Sequence, residues 1–510
     1  MAYLYILLLA FAVFISSLFV VYMFRDKKRL PPNWPVFGMH LQGLWNITTI
    51  HDYFTTLLEV TGPFVYTSPW FCNLRAIITN DPADVHYVLI KNFPNFNKGP
   101  EFNRIFDMFG DGIFNADADL WKFQRQMTHS FIGHGQFRRF VIKNVCQKIQ
   151  DGLTPVLDHA IKQNQVIDLQ DIFARLTLDL ICSFTMGHDP GFLSIKLEDA
   201  PLSKALVDME EAMFFRHFVP EKLSELFKWL NIGYEGKMLK AGKVIDQFIY
   251  KQIEKRKREN RKGLAIPMCA NKEEESSDIL DLFMGEKGRT NQWSDKFLRD
   301  TILNLIVAGQ DTTGTTLSWL FWLISTNPEV ESKIEEEVKT IAASKKKEFQ
   351  RSNIEMEDLS KMVYLHSAMC EALRLYPPVP INHKAPVAED ELPSGIKVYP
   401  NEKILFPAYA MGRTKSIWGE DCMEFKPTRW ITEQGKLKNE LSHKFFSFGA
   451  GPRMCLGKEM AMVQVKAVVA SLIGKYMFQV VEGHPVIPNQ TSITLHMKHG
   501  LKVKVLKKCA

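Results

Sequence analysis

The 510-residue sequence predicts a mainly α protein with small β-sheets, folded as a single large helix-rich domain. Two observations carry that prediction. From about residue 83 onward, apolar residues recur at helical spacing, with long amphipathic stretches at 136–163, 167–186, 236–258 and 294–326. Short alternating segments, Phe64-Val-Tyr66 and Ala76-Ile-Ile-Thr79, precede this body, and strand signals return at 397–406 and 491–506. Strands at both ends of a helical body suit one domain, and no internal repeat divides it. A hydrophobic content of 46% with 36 phenylalanines permits a core of that size.

Taken in order, residues 1–24 read as a transmembrane anchor. Residues 2–24 carry no charged side chain and are long enough for a bilayer core of ~30 Å. Arg25, Lys27, Lys28 and Arg29 follow, which places the N-terminus in the lumen and the body in the cytosol. A cleavable signal peptide predicts basic residues before a shorter apolar run and a small-residue cleavage site after it, and both are missing. Residues 25–38 form a basic, proline-rich hinge, with Pro31, Pro32 and Pro35 favouring extended backbone. Residues 39–510 are the expected catalytic domain. A cytosolic body leaves the sequons at Asn46 and Asn489 unused. The charged run from Lys251 to Lys272 reads as a solvated helix end and loop.

Eight scattered cysteines without paired spacing fit neither a disulfide framework nor a zinc module, and imply a reducing compartment. A formal charge of +6 is too small for this length to argue for nucleic acid.

Most of the chemistry is written in Phe448-Gly-Ala-Gly-Pro-Arg453-Met-Cys455-Leu-Gly457. Gly449, Gly451 and Pro452 suit a tight turn that brings backbone close to a ligand. The apolar residues after Cys455 have helical spacing, so the cysteine is expected at a helix N-terminus, where the dipole favours thiolate. Such a thiolate suits the axial position on haem iron, which it enriches in electron density for O–O cleavage.

Ala308-Gly309-Gln310-Asp311-Thr312-Thr313 lies in the middle of the long 294–326 stretch. A mid-helix glycine costs about 1 kcal/mol against alanine. Its presence suggests a locally opened helix, in which Asp311 feeds protons from solvent and Thr312 holds the water that receives them. Glu371 and Arg374 stand three apart on one helical face, ahead of Pro377-Pro378. The apolar neighbours Leu373 and Leu375 suggest that this pair is buried, and a buried pair needs further partners.

These runs, in this order, resemble the cytochrome P450 family over nearly everything from residue 30 to the end. The resemblance implies the cytochrome P450 fold, with haem b (iron protoporphyrin IX) held between the long central helix and the cysteine-loop helix. It implies Cys455 as the iron ligand, with Phe448 and Gly457 in the haem loop and Asp311 and Thr312 as the oxygen-activating pair. Arg429, in Phe425-Lys-Pro427-Thr-Arg429-Trp430, is implied as the partner completing a structural triad with Glu371 and Arg374. Thr428 stands where the family often has an acid. Trp121 and Arg125 match the helix that clamps a haem propionate, with Arg453 as a second donor and Lys384, beside His383, as a third candidate.

The chain looks most like membrane-anchored plant enzymes of the fatty-acid and alkane hydroxylase clan, through runs such as Asn97-Lys-Gly-Pro100-Glu-Phe, Gly112-Ile-Phe-Asn-Ala-Asp117 and Trp418-Gly-Glu-Asp421. Substrate-facing positions are expected at Phe102, Phe106, Met108, Phe114, Met213, Phe214, Phe215, Asn304, Val307, Ala308, Val379, Ile381 and Ile493. The resemblance implies a monooxygenase on the cytosolic side of the endoplasmic reticulum membrane, single-pass, using O2 and NADPH. Electrons come from NADPH–cytochrome P450 reductase, with cytochrome b5 as a second donor, and Arg138, Arg139, Lys444 and Lys458 could meet such an acidic flavoprotein. The expected reaction is hydroxylation of a long-chain fatty acid or alkane. Oxidation of a plant alkaloid or phenolic, by hydroxylation or phenol coupling, stays open. So do a hydroperoxide-rearranging enzyme and a non-catalytic haem or ligand-binding protein.

Overall fold

The computed structural model describes residues 38–69, 75–261, 278–285, 293–344 and 354–508, with a few isolated positions before residue 38. Apart from those positions and Gly38, the expected anchor and hinge lie outside the described residues, as do Cys72, Cys269, Cys509 and the charged run beyond Arg261. Among the described residues no helix is long and apolar enough to cross a membrane. Cys146, Cys182, Cys370, Cys422 and Cys455 are free thiols.

Ten of the helices frame the site: α1 (Ile50–Thr61), α2 (Gly99–Ile105), α3 (Ala118–Gly133), α4 (Gly135–Lys148), α5 (Leu169–Met186), α6 (Pro201–Phe215), α7 (Gly233–Arg261), α8 (Asp295–Ser325), α9 (Val363–Leu375) and α10 (Lys458–Leu472). The strands are β1 (Phe64–Thr67), β2 (Arg75–Ile78), β3 (Phe96–Asn97), β4 (Val166–Asp168), β5 (Asn382–Pro386), β6 (Asp390–Glu391), β7 (Lys397–Val398), β8 (Lys403–Phe406), β9 (Tyr476–Val480) and β10 (Lys502–Lys507). They form a five-stranded sheet in the order β1-β2-β8-β5-β3, a three-stranded sheet β4-β10-β9 and the pair β6-β7. Only the β2–β8 contact is parallel among these pairs, and it sets Ile77 opposite Ile404. The antiparallel β5–β8 pair sets His383 opposite Leu405 and Lys384 opposite Ile404.

Helix α8 is the axis of the body. It starts where Ser294 Oγ accepts the Phe297 N–H at 3.1 Å, and its 31 residues span about 46 Å. Helix α5 starts at Asp168, which accepts the Gln170 N–H at 3.1 Å, and ends at Gly187 in the left-handed region. The two helices pack at small residues. A Cβ on Gly309 would meet Ile181 Cδ1 at 2.5 Å, and one on Gly314 would meet Thr177 Oγ1 at 3.1 Å. Thr177 Oγ1 lies 2.9 Å from the Gln310 carbonyl oxygen across this contact.

Several expectations change. The 136–163 stretch is helical but not one α-helix: α4 gives way to a π turn at Ile149–Leu153 and then to a helix at Thr154–Lys162. Pro155 sits in the first turn of that last helix and lacks the N–H that a continuous ladder needs. The 167–186 stretch starts as a strand, because β4 pairs with β10 before α5 begins. The 397–406 signal divides between β7 and β8, which belong to different sheets. The 491–506 signal yields only β10, whereas β9, at 476–480, lies outside the strand signals of the sequence. The sequon at Asn489 is buried, and its amide is bonded to His496 Nε2 at 2.9 Å and to the Thr491 hydroxyl at 2.8 Å, so a glycan would have no access.

Candidate active site

The loop that bears the cysteine is closed by its own backbone. The Cys455 N–H donates to the Phe448 carbonyl at 2.9 Å, and Ser447 Oγ ties the loop to α9 through the Leu373 carbonyl at 2.7 Å. Gly449 and Gly451 have φ of +70° and +66°. Gly451 also lies where a Cβ would strike the Leu89 carbonyl at 1.9 Å, so no other residue fits. Helix α10 begins at Lys458 with Gly457 as its cap, which puts Cys455 two residues ahead of the cap. The cysteine is accessible, but to an internal cavity of about 450 Å³ that its loop and α8 both line. Burial raises its thiol pKa, against the N–H groups of Gly457 and Lys458 and the charge of Arg125, which lower it. The dipole expectation is therefore only partly met: its donors are present, and desolvation outweighs them.

Helix α8 faces the same cavity with Val307, Ala308, Gly309, Thr312 and Thr313. The expected opening of the helix is absent, and α-helix runs unbroken from Asp295 to Ser325. Thr312 Oγ1 donates to the Ala308 carbonyl at 2.6 Å without interrupting it. Gly309 answers to the close approach of Ile181.

Asp311 does not open to solvent as the sequence suggested. Its Oδ2 is shut in, and the carboxyl faces Glu210 of α6. Glu210 is 1% exposed and lines the cavity. Its Oε2 accepts from the hydroxyls of Ser492, at 3.3 Å, and Thr494. Neither Glu210 Oε1 nor Asp311 Oδ2 meets a donor. Two ionised carboxylates are acceptors only, so this pair is satisfied when one member carries a proton. Burial raises both pKa values. Glu210 is pushed well above the ordinary range by burial and then by the Asp311 charge.

A cationic cluster lies at another part of the wall. Lys98, Trp121, Arg125 and Arg453 line the cavity. The Arg453 guanidinium lies 4.5 Å from the Trp121 ring centre, pairs with Asp117 and donates to the Ala116 carbonyl at 2.9 Å, while its Nε has no partner. Arg125 Nη2 reaches the Met454 carbonyl at 2.9 Å. Lys384 is buried, with Nζ 3.2 Å from the Phe96 carbonyl oxygen.

The expected triad is assembled behind the cysteine loop. Glu371 and Arg374, with fully buried side chains, meet in two 2.8 Å hydrogen bonds. Arg429 Nε joins Glu371 at 3.2 Å, and Trp430 Nε1 adds a bond at 2.8 Å. Arg374 also binds the carbonyls of Gly412, Cys422 and Glu424. These contacts satisfy the charges that burial would otherwise leave unpaired. The acid absent at Thr428 is replaced from elsewhere, by Asp421 at 3.0 Å from Arg429.

Phe102, Phe106, Phe114, Asn304, Val307, Ala308, Val379, Ile381 and Ile493 all line the cavity. The amide of Asn304 is spent on the protein: Nδ2 donates to Phe109 and Asp300 carbonyls, and Oδ1 accepts the Phe114 N–H at 2.9 Å. Phe214 lines the cavity as expected. Met108, Met213 and Phe215 do not: Met108 packs toward Gly242 and Arg299, Met213 is in the core, and Phe215 stacks on Tyr234. Sequence reasoning missed Lys98, Glu210, His217 and Asp421. Each takes its place through a contact distant in the chain: Lys98 and Asp421 lie in runs that mark the resemblance without marking a role, and Glu210 and His217 lie in no motif.

The family model for cytochrome P450 matches residues 29–505. The chain belongs to the cytochrome P450 family. It is 40% identical over 508 residues to the alkane hydroxylase MAH1 of Arabidopsis thaliana, covering 98% of both chains. It is 39% identical over 507 residues to noroxomaritidine synthase 2 of Narcissus pseudonarcissus, covering 98% of this chain and 96% of that one. To cytochrome P450 86B1 of Arabidopsis thaliana it is 38% identical over 515 residues, covering 98% and 89%. It is thus an oxidoreductase of a haem- and O2-using monooxygenase family.

The P450 site fits haem by its charges. Burial brings the Lys98 amine down to about 7 and the Arg453 guanidinium to about 10, and lowers Arg125 and Lys384. Asp117 is the acid set against Lys98, Lys384 and Arg453 among the described residues. Two propionates would supply the missing negative charge, and the unpartnered Arg453 Nε offers a donor for them.

Proposed function

We propose that this P450 is a reductase-dependent monooxygenase that hydroxylates a long hydrophobic substrate of the fatty-acid or alkane class. What carries the reading is one cavity that joins Cys455, Thr312 and a lining of phenylalanine and aliphatic side chains. Haem would be held by Cys455, with Arg125, Arg453, Lys98 and Lys384 as cationic partners for its propionates, and would supply the reductive activation of O2. The chain's own residues handle substrate and protons. Glu210 holds a proton at its carboxyl, Asp311 takes it, and the Thr312 hydroxyl passes it into the cavity. The aromatic lining excludes water and sets which carbon lies nearest the reacting centre.

Arg138, Arg139 and Lys444 are exposed, and Arg138 and Arg139 belong to α4, which packs on α10. With Lys458 they offer a basic surface to NADPH–cytochrome P450 reductase or cytochrome b5. Membrane attachment through residues 1–24 at the endoplasmic reticulum is part of the proposal. Trp45 and Trp229, 86% and 80% exposed, support it, because side chains so large and apolar are seldom left in water.

A second reading, oxidation of an alkaloid or phenolic, draws on the noroxomaritidine synthase of Narcissus pseudonarcissus, whose 39% identity is nearly that of the alkane hydroxylase. Purified chain reconstituted with reductase decides between them. Substrate-dependent NADPH consumption and an oxygenated product from fatty acids or alkanes supports the first reading, and turnover confined to phenolic amines supports the second. No NADPH consumption with any substrate class contradicts both.

A further inference from the structure

We propose that His383 and His217 form a polar pole of the substrate cavity that receives an oxygen-bearing group, hydroxyl or carboxyl, on an otherwise apolar substrate. The inference rests on the P450 reading above and specifies its substrate. Strand β5 presents His383 to the cavity, and His217 reaches it from the turn after α6. Their ring centres are 6.2 Å apart. Phe102 meets His383 edge-on at 5.4 Å, and Phe106 meets His217 at 5.8 Å. His383 is 4% exposed, and its Nδ1 is buried without a hydrogen-bond partner.

A buried imidazole nitrogen left unpaired costs stability, and an aliphatic side chain would fill this phenylalanine-lined space at no such cost. A ligand atom would satisfy the nitrogen. Burial, with the charge of nearby Lys403, keeps both rings neutral. Each neutral ring offers one N–H donor and one acceptor. Lys403 also lines the cavity and is paired with Glu101, and Arg104 lies close enough to act on His217. This positive surrounding disfavours an ammonium group and favours oxygen. A hydroxyl can accept from one ring and donate to the other, and a carboxyl can accept from both. A plain alkane leaves the nitrogens unpaired.

The test is calorimetric binding to the purified haem-loaded full-length chain, using an alkane, a primary alcohol and a fatty acid of equal chain length. The alcohol or the acid is expected to bind about 10-fold tighter than the alkane. Whichever gains more identifies the oxygen group. In His383→Leu that preference should fall to near parity with alkane affinity kept, and His383→Asn should restore part of it. Equal affinity for all three ligands in the wild type overturns the proposal, as does an equal loss for all three in His383→Leu. Loss of the thiolate-type spectrum in the wild type would instead overturn the P450 reading, and the spectrum is recorded on every sample.

Discussion

Glu210 and Asp311 bring two carboxyls together in the interior: Glu210 Oε1 and Asp311 Oδ2 are buried without a hydrogen-bond donor, and burial followed by the Asp311 charge raises the Glu210 pKa well above the ordinary range. This relationship has a pH signature. Glu210 has a folded pKa raised well above 4.5, so above that pH the folded chain keeps a proton that the unfolded chain has released. Stability therefore declines as pH rises from 4.5 toward the folded value. Glu210→Gln keeps the shape and removes the proton site. Its Tm should gain on the wild type as pH is raised through that window, and its product yield per NADPH should drop. Parallel Tm curves would show that Glu210 holds no proton.

Thr312→Ala removes a hydroxyl that lines the cavity and donates to the Ala308 carbonyl. NADPH and oxygen consumption should persist while product per NADPH falls by about an order of magnitude or more, with peroxide making up the difference. A hydroperoxide-rearranging enzyme, which takes oxygen from its substrate, would be little changed.

Glu371→Gln leaves the buried Arg374 without its counter-charge and should cost ~3–5 kcal/mol, seen as loss of haem-loaded protein on expression. Asp421→Asn should cost under ~1 kcal/mol by denaturant titration, because Asp421 is partly exposed to solvent while Glu371 and the Trp418 carbonyl still hold Arg429. Equal losses in the two variants would place the weight of the triad on the wrong residue.

Gly309→Ala drives a methyl group to 2.5 Å from Ile181 Cδ1 and should destabilise by ~1–3 kcal/mol. Ile181→Ala in the same chain should recover most of the overpacking cost, leaving the smaller cost of the lost side chain. A double variant no better than the sum of the singles would mean that Gly309 serves the cavity and not the helix contact.

The α8 and α5 helices were legible because their apolar periodicity is long, and the cysteine loop was legible because Gly449 and Gly451 mark backbone that other residues avoid. Periodicity misplaced the end strands, since β7 and β8 share one apolar run yet pair with different partners, and β9 depends on β10 for its edge. In the site, residues fixed by local motifs were found: Cys455, Thr312, Arg125 and the Glu371–Arg374 pair. Those placed by tertiary contact were not. Glu210 becomes chemical only because the fold brings its carboxyl to that of Asp311, and Lys98 only because Arg453 and Asp117 come to meet it. The motif glycine at 309 suggests a locally opened helix, whereas the side chain of Ile181 already fills the space beside it.

Cys455 would be the thiolate ligand of a haem at this cavity. The most direct measurement is the absorption spectrum of the purified chain, reduced and saturated with carbon monoxide, beside Cys455→Ala. The wild type should show a thiolate-type Soret band, and the variant should lose it. A Soret band of the neutral-ligand type in freshly prepared, folded wild type, or a thiolate-type band that survives in Cys455→Ala, would contradict it.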